Sequence, residues 1–225
     1  MDISFEKFIE EISKKELLLL GEVHGTKEIP KLTFDIIKKL NNNVNFIFLE
    51  IPKDQQIFLD KYTNSKDEKD LLSIPFFNTS NKDGRDSKDI LFLIKKVIHL
   101  SSKIKIKFID PNVIENRDYL MYKKIKELLK SQENKLSIFL TGNVHASKKN
   151  LIINDKQILT CGNYLHKWLK DKLISVNFSA NKGSFFNIRL TPVNGKNRKN
   201  GIFISNEENY DFEYILDKFT PCDFL

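Results

Sequence analysis

Four consecutive leucines, Leu17 to Leu20, run straight into Gly21-Glu22-Val23-His24-Gly25. An apolar run this short predicts a strand covered on both faces, the condition of a strand inside a parallel sheet. Open parallel sheets build their sites just beyond the C-terminal strand ends, so Glu22 and His24 stand where chemistry is expected. The pattern returns as Ile138-Phe139-Leu140-Thr141-Gly142-Asn143-Val144-His145-Ala146. Two of the chain's four histidines therefore follow an apolar run and a glycine.

The rest of the pattern surrounds these two segments with alternating helices and strands. Apolar spacing predicts a helix within Ile3 to Lys15, capped by Asp2 or Ser4, then a helix from Glu28 to Leu40 capped by Thr26. Val44 to Leu49 is a second buried strand ending at Glu50, so the first βαβ unit has a right-handed crossover and places Glu50 beside Glu22 and His24. Asp54 to Tyr62 is helical. Asn64 to Asp89 is polar and turn-rich, the profile of a lid or binding segment, and contains Gly84-Arg85-Asp86. A helix from Asp89 to Leu100, capped by Ser87 or Asp86, leads to a strand Ile104 to Ile109 ending at Asp110. Asn112 to Lys130 is mostly helical and opens with Asn116-Arg117-Asp118. Leu136 to Leu140 is the fourth strand, followed by a helix from Asn163 to Lys170. Leu173 to Phe178 and Ser184 to Leu190 alternate and are separated by Ala180-Asn181-Lys182-Gly183, which predicts an antiparallel hairpin at one sheet edge. The expected fold is α/β: one domain spanning residues 1–225, with a mostly parallel central sheet flanked by helices and antiparallel strands at one edge near the C-terminus.

Composition narrows the function classes. At 225 residues with 40% hydrophobic and 30% charged side chains, the chain is long enough for a substantial core. A net charge of +7 invites a nucleic-acid reading, but the lysines are scattered among acids and form no dense block, so no nucleic-acid partner is expected. No apolar run approaches the roughly 20 residues of a membrane span, and no secretory signal is visible. The cytoplasm is the default compartment, with secretion by a signal-less route left open. Two cysteines make no disulfide framework. Cys222-Asp223-Phe224-Leu225 has the spacing of a prenylation box, but Asp223 is not aliphatic and the upstream stretch is acidic. His99 and His166 lie in amphipathic helices and read as structural. Phe46/Phe48 and Phe185/Phe186 read as core, with an aromatic pocket for a flat ligand as the alternative.

Glu22/His24, Glu50, Asp110 and Asn143/His145 thus crowd one sheet rim. Imidazoles and carboxylates suit two kinds of chemistry. Glu22, His24, Glu50 and His145 have the donor types that bind Zn²⁺ or Mn²⁺. Without a metal, a carboxylate orients an imidazole that takes a proton from water, while Arg85 or Arg117 holds an anionic substrate group or an oxyanion. Residue types alone leave both open. Gly21 and Gly142 allow close backbone approach.

Leu-Leu-Gly-Glu-Val-His-Gly (19–25), Phe-Leu-Glu (48–50), Gly-Arg-Asp-Ser (84–87), Asn-Arg-Asp-Tyr-Leu-Met (116–121) and Leu-Thr-Gly-Asn-Val-His-Ala (140–146) together resemble the superfamily of erythromycin esterase, ChaN-like and TIKI/TraB proteins. The ChaN-like type is the most similar. The resemblance covers about residues 16–170. It implies an α/β fold and a hydrolase site in which Glu22, His24, Glu50 and His145 act on an ester, amide or related bond, with Arg85, Arg117, Asp118 and Asn143 binding a small-molecule or peptide substrate. The TIKI branch implies metal assistance and the ChaN branch a haem-binding alternative without turnover. Two departures stand out: no exported or lipidated N-terminus is visible, and the chain is short for a macrolide esterase.

Overall fold

The computed structural model describes residues 1–131, 135–153, 155–195 and 197–225. Along the chain run β1 (Asp2–Ile3), α1 (Phe5–Ser13), β2 (Leu17–Glu22), α2 (Glu28–Leu40), β3 (Val44–Pro52), α3 (Gln56–Ser65), α4 (Glu68–Leu72) and α5 (Lys88–Leu100). There follow β4 (Lys105–Asp110), α6 (Arg117–Lys130), β5 (Leu136–Gly142), the short α7 (Asn143–Ala146), the hairpin β6 (Leu151–Ile153) and β7 (Lys156–Ile158), and α8 (Cys161–Leu169). The chain closes with β8 (Leu173–Asn187), β9 (Arg189–Pro192), β10 (Gly201–Ile204) and β11 (Phe212–Phe219).

The main sheet has the order β1-β10-β11-β8-β2-β5-β3-β4, with β9 paired to β8. From β11 to β4 neighbouring strands are parallel, whereas β1, β10 and β9 pair antiparallel. The expected α/β architecture is therefore present, antiparallel strands at the C-terminal edge included.

The leucine run shows why β2 sits at the centre. Leu18 and Leu20 belong to the core on one face of the sheet, with Ile36, Ile47 and Ile94, while Leu17 and Leu19 belong to the opposite core, with Phe48, Ile125 and Phe139. Side chains alternate across a strand, so a strand apolar at every position must be covered on both sides. Each such leucine contributes about 1.5–3 kcal/mol by leaving water.

Local signals mostly act as expected. Ser4 Oγ accepts the Lys7 N–H and caps α1; Ser87 Oγ accepts the Ile90 N–H and caps α5. Thr26 does not cap α2. It forms an isolated bridge with Pro221, and its hydroxyl has no hydrogen-bond partner. Helix α8 begins earlier than its apolar spacing indicates, because Thr160 Oγ1 caps it through the Asn163 N–H.

Two expectations change more. The Asn64–Asp89 stretch is not a free lid: it contains α4 and a 3₁₀ turn at Pro75–Asn78 that buries Phe77 completely. The turn predicted at Ala180–Gly183 is absent, since β8 runs straight through it. Leu216, Lys218 and Phe219 of β11 pair with Ala180, Lys182 and Gly183 and keep that segment in the sheet, with Gly183 at φ 99°. The reversal comes later, at Ile188 (φ 63°), where β9 folds back on Ser184–Asn187. Cys222 is 7% exposed, and its N–H donates to the Gly25 carbonyl, an arrangement poorly suited to lipidation. Among the described residues no helix is long and apolar enough to cross a membrane.

Candidate functional site

The order β2-β5-β3-β4 puts the ends of four parallel strands side by side. Those ends carry Glu22, Gly142, Glu50 and Asp110, and the three acids are buried to within 5% of full coverage. A buried carboxylate is costly unless its oxygens are bonded, and each of these is.

Glu50 is the centre of the cluster. Its Oε2 accepts from Thr141 Oγ1 at 2.6 Å and from the Gly142 N–H at 3.0 Å. Its Oε1 accepts from Arg117 Nη2 at 2.6 Å and from Arg85 Nη1 at 3.1 Å. Both arginines also reach Asp110, Arg117 through Nε and Nη2 and Arg85 through Nη1. Arg85 is further held by the Asp83 carboxylate. Burial pushes the Glu50 carboxyl upward, but the charges of His145, His24, Arg85 and Arg117 outweigh it and hold it well below the usual range. Burial likewise opposes ionisation of Asp110, and its bonds to Arg117 overcome that.

Two carboxylate–imidazole pairs flank this cluster. His24 Nδ1 lies 2.9 Å from Glu22 Oε1, and His145 Nδ1 lies 2.7 Å from Asp118 Oδ1. A neutral ring with Nδ1–H donated to a carboxylate leaves Nε2 as a lone pair. On His145 that lone pair accepts from Arg117 Nη1 at 3.2 Å. On His24 it has no protein partner among the described residues. Asp118 is itself fixed by the Cys161 N–H at the start of α8, at 2.7 Å. Burial depresses the His24 pKa, yet the charge and hydrogen bond of Glu22, with Glu50 behind, raise it above the ordinary histidine value.

The two rings share a cleft of about 310 Å³ with Glu22, Asn143, Phe185 and Asn187. Phe186 N–H donates to the Gly25 carbonyl at 3.1 Å, and this bond brings the far end of β8 over the opening. Phe185, expected in the core, is thereby a wall of the cleft. Gly142 forms the floor: a Cβ there would lie 2.9 Å from His24 Nε2. The absence of a side chain at this strand end is what admits the ring.

The residues expected from sequence thus converge on one rim, with changed emphasis. Arg85 and Arg117 are committed to carboxylates, which makes them clamps on Glu50 and Asp110 first. Asn143 turns its Oδ1 to the Val144 N–H, and its carbonyl accepts from the Tyr210 hydroxyl. Asp83, Thr141 and Tyr210 escaped sequence reasoning. Asp83, two residues before an arginine, was the most readable of them.

A divalent metal does not fit the donor set. Glu50 spends its oxygens on two arginines, a hydroxyl and an amide, and two guanidinium groups among four would-be ligands repel a cation. Among the described residues no group of three or more His, Cys, Asp or Glu side chains is arranged to hold an ion. Thiol chemistry is equally remote. Both cysteines are buried, with the Cys161 thiol pushed well up by burial and that of Cys222 up to about 12.

The sheet and its flanking helices have a fold also seen in an erythromycin esterase and in a ChaN protein. The erythromycin esterase EreC, as a mutant in its open conformation, aligns with a TM-score of 0.60 at 12% identity over 98% of this chain and 80% of its own. ChaN of Campylobacter jejuni, solved with cofacially bound haem, aligns with a TM-score of 0.54 at 20% identity, covering 94% and 91%. A succinoglycan biosynthesis protein aligns at 0.69 with 10% identity, covering 97% and 91%. No protein-family model and no curated protein matches the sequence.

Proposed function

We propose that the chain is a hydrolase of an ester, amide or related bond, with His24 as general base. The observation that carries this reading is the Glu22–His24 pair at 2.9 Å, whose Nε2 is unclaimed while the ring lines an open cleft. Glu22 fixes the tautomer and stabilises the imidazolium that forms when Nε2 takes a proton from water. The nascent hydroxide attacks the acyl carbon. The oxyanion that develops meets the Arg117 guanidinium, which Glu50 and Asp110 hold in place, so that it is not reorganised during the reaction. The fold likeness to an erythromycin esterase supports this choice. p-Nitrophenyl acetate and butyrate, with matched anilides, test it. Turnover by the wild-type protein that is lost in His24→Ala bears the proposal out, and equal rates in both sink it.

A second reading, a flat ligand such as haem held on His24 Nε2 without turnover, draws on the fold shared with the haem-bound ChaN. It ranks lower because Glu22 and Asn187 set a carboxylate and an amide among the apolar walls of Val23, Val144 and Phe185. Haemin added to the protein separates the two: a Soret shift abolished by His24→Ala, with no esterase activity, favours the second.

A further inference from the structure

The cleft at His24 and His145 does not end there. Val23, Asn143 and Phe185 also line a second hollow of about 340 Å³. That hollow shares Asn177, Arg198, Glu207 and Glu213 with a third of about 380 Å³. Shared walls make the three one trough running outward from the histidines across β8 and β11.

Its floor is a sheet face. Asn177 and Ser179 are two apart on β8, and they pair in register with Glu213 and Ile215 on β11, so all four point the same way. Strand β8 is hydrogen-bonded to β2 on one side and β11 on the other. Pairing to β2 ends at Asn177, but over the trough floor the main chain lies in the sheet plane and side chains face the ligand. Recognition falls to side chains.

Those side chains favour an uncharged, hydroxyl-rich ligand. The Arg198 guanidinium is closed off by Glu213 Oε2 at 2.6 Å and Ser179 Oγ at 3.0 Å, and Lys199 is paired with Asp2. Glu207 has no ion-pair partner among the described residues, so an anionic ligand would meet its charge with Arg198 and Lys199 already paired, the Met1 amino group standing in the outermost hollow, away from the histidines. Asn177 Oδ1 is buried with no hydrogen-bond partner. Leaving such an acceptor unmade costs about 1–3 kcal/mol, and a donor hydroxyl would recover it. Phe185, Tyr210 and Phe203 offer aromatic faces along the walls, against which the C–H face of a sugar ring packs.

We propose that the trough binds an acylated oligosaccharide, the sugar chain lying over β8 and β11 and its ester reaching the Glu22–His24 pair. This rests on the hydrolase reading. Water adds its hydroxide to the acyl carbon, the bond from that carbon to the sugar oxygen breaks, and the proton taken by His24 passes to the sugar oxygen. A carboxylic acid and a free sugar hydroxyl leave.

Binding of unacylated sugars tests the trough separately from catalysis. Calorimetry compares six-unit with two-unit xylan, cellulose and chitin oligosaccharides on the full chain, on Asn177→Leu and on the exposed Glu207→Lys. At least one six-unit sugar is expected to bind about tenfold tighter than its two-unit form. Folded Asn177→Leu is expected to weaken it about five- to tenfold, the worth of one lost buried hydrogen bond, whereas Glu207→Lys, a charge change on the exposed rim, is expected to alter the affinity for a neutral sugar by no more than about twofold; p-nitrophenyl acetate turnover is unchanged in both. Six-unit sugars that bind no tighter than two-unit ones in all three series, or a trough that takes hexalysine instead, overturn the proposal. Sugar binding without any esterase activity would leave the trough standing and remove the hydrolase reading.

Discussion

Nδ1 of His24, two residues past the last residue of β2, lies 2.9 Å from Oε1 of that last residue, Glu22. Two-residue spacing in extended chain puts both side chains on one side, so this pair needs no tertiary help to meet. The matching pair, Asp118 and His145, is 27 positions apart and joins the first turn of α6 to α7. One proton-handling pair is built locally and the other by packing.

Removing either imidazole should be severe. His24→Ala and His145→Ala are each expected to lower kcat/KM on p-nitrophenyl acetate about 10²–10⁴-fold, the usual worth of a positioned acid or base. Circular dichroism should show the fold intact. Two variants with wild-type rates would remove the proposed centre.

Glu50→Gln should act on stability before activity. The neutral amide leaves Arg85 and Arg117 near each other without the acid that both grip. Losing one partner of a buried ion pair costs about 3–5 kcal/mol. In a chain of this size that corresponds to a Tm lower by roughly 6–20 °C. A change of a degree or two in differential scanning calorimetry would show that the cluster contributes little.

Gly142→Ala places a methyl carbon 2.9 Å from His24 Nε2, in the space the ring occupies. The ring must turn away from the Glu22 carboxylate or the strand end must shift. Esterase activity is expected to fall at least tenfold with a Tm loss smaller than that of Glu50→Gln; an unchanged rate would mean His24 has room to spare.

Raised basicity of His24 has two pH consequences. Catalysis needs the neutral ring, so the acid limb of kcat/KM should have its midpoint above the ordinary value of 6.5, and Glu22→Gln should bring it down. For stability the sign is opposite. A group whose pKa is higher in the folded chain stabilises fully below its unfolded value, and that contribution fades as pH rises through the folded value. The Tm of the wild type should therefore decline from pH 6 upward more than that of His24→Ala. Parallel curves would place the proton elsewhere.

Chelation offers an independent check. Since the arginines occupy the oxygens a cation would need, dialysis against EDTA is expected to leave p-nitrophenyl acetate turnover unchanged. Loss of activity restored by Mn²⁺ or Zn²⁺ would overturn the metal-free reading.

Much of this rim was legible because its logic is local. An all-apolar run marks a two-sided strand, and a charged residue directly after it must stand at the strand end. That reasoning located Glu22, His24, Glu50, Asp110, Asn143 and His145 without coordinates. It could not show that Arg85 and Arg117 close on the acids rather than on a substrate, because the two come from segments that meet only when α5 and α6 dock beside β3 and β4. Nor could it follow β8 through Ala180–Gly183. Asn-Lys-Gly is good turn chemistry, and what keeps it in the sheet is β11, paired from more than thirty residues further on.

The amino-acid sequence by itself determined the kind of sheet, the positions where its strands end in polar residues, and the Glu22–His24 pair. These follow from side-chain alternation and burial, which act over a few residues. Tertiary structure alone decided which acids the arginines neutralise, where β8 turns back, and how the histidine cleft opens into a trough. Those depend on contacts between distant segments, where main-chain pairing and ion pairing outweigh local preference.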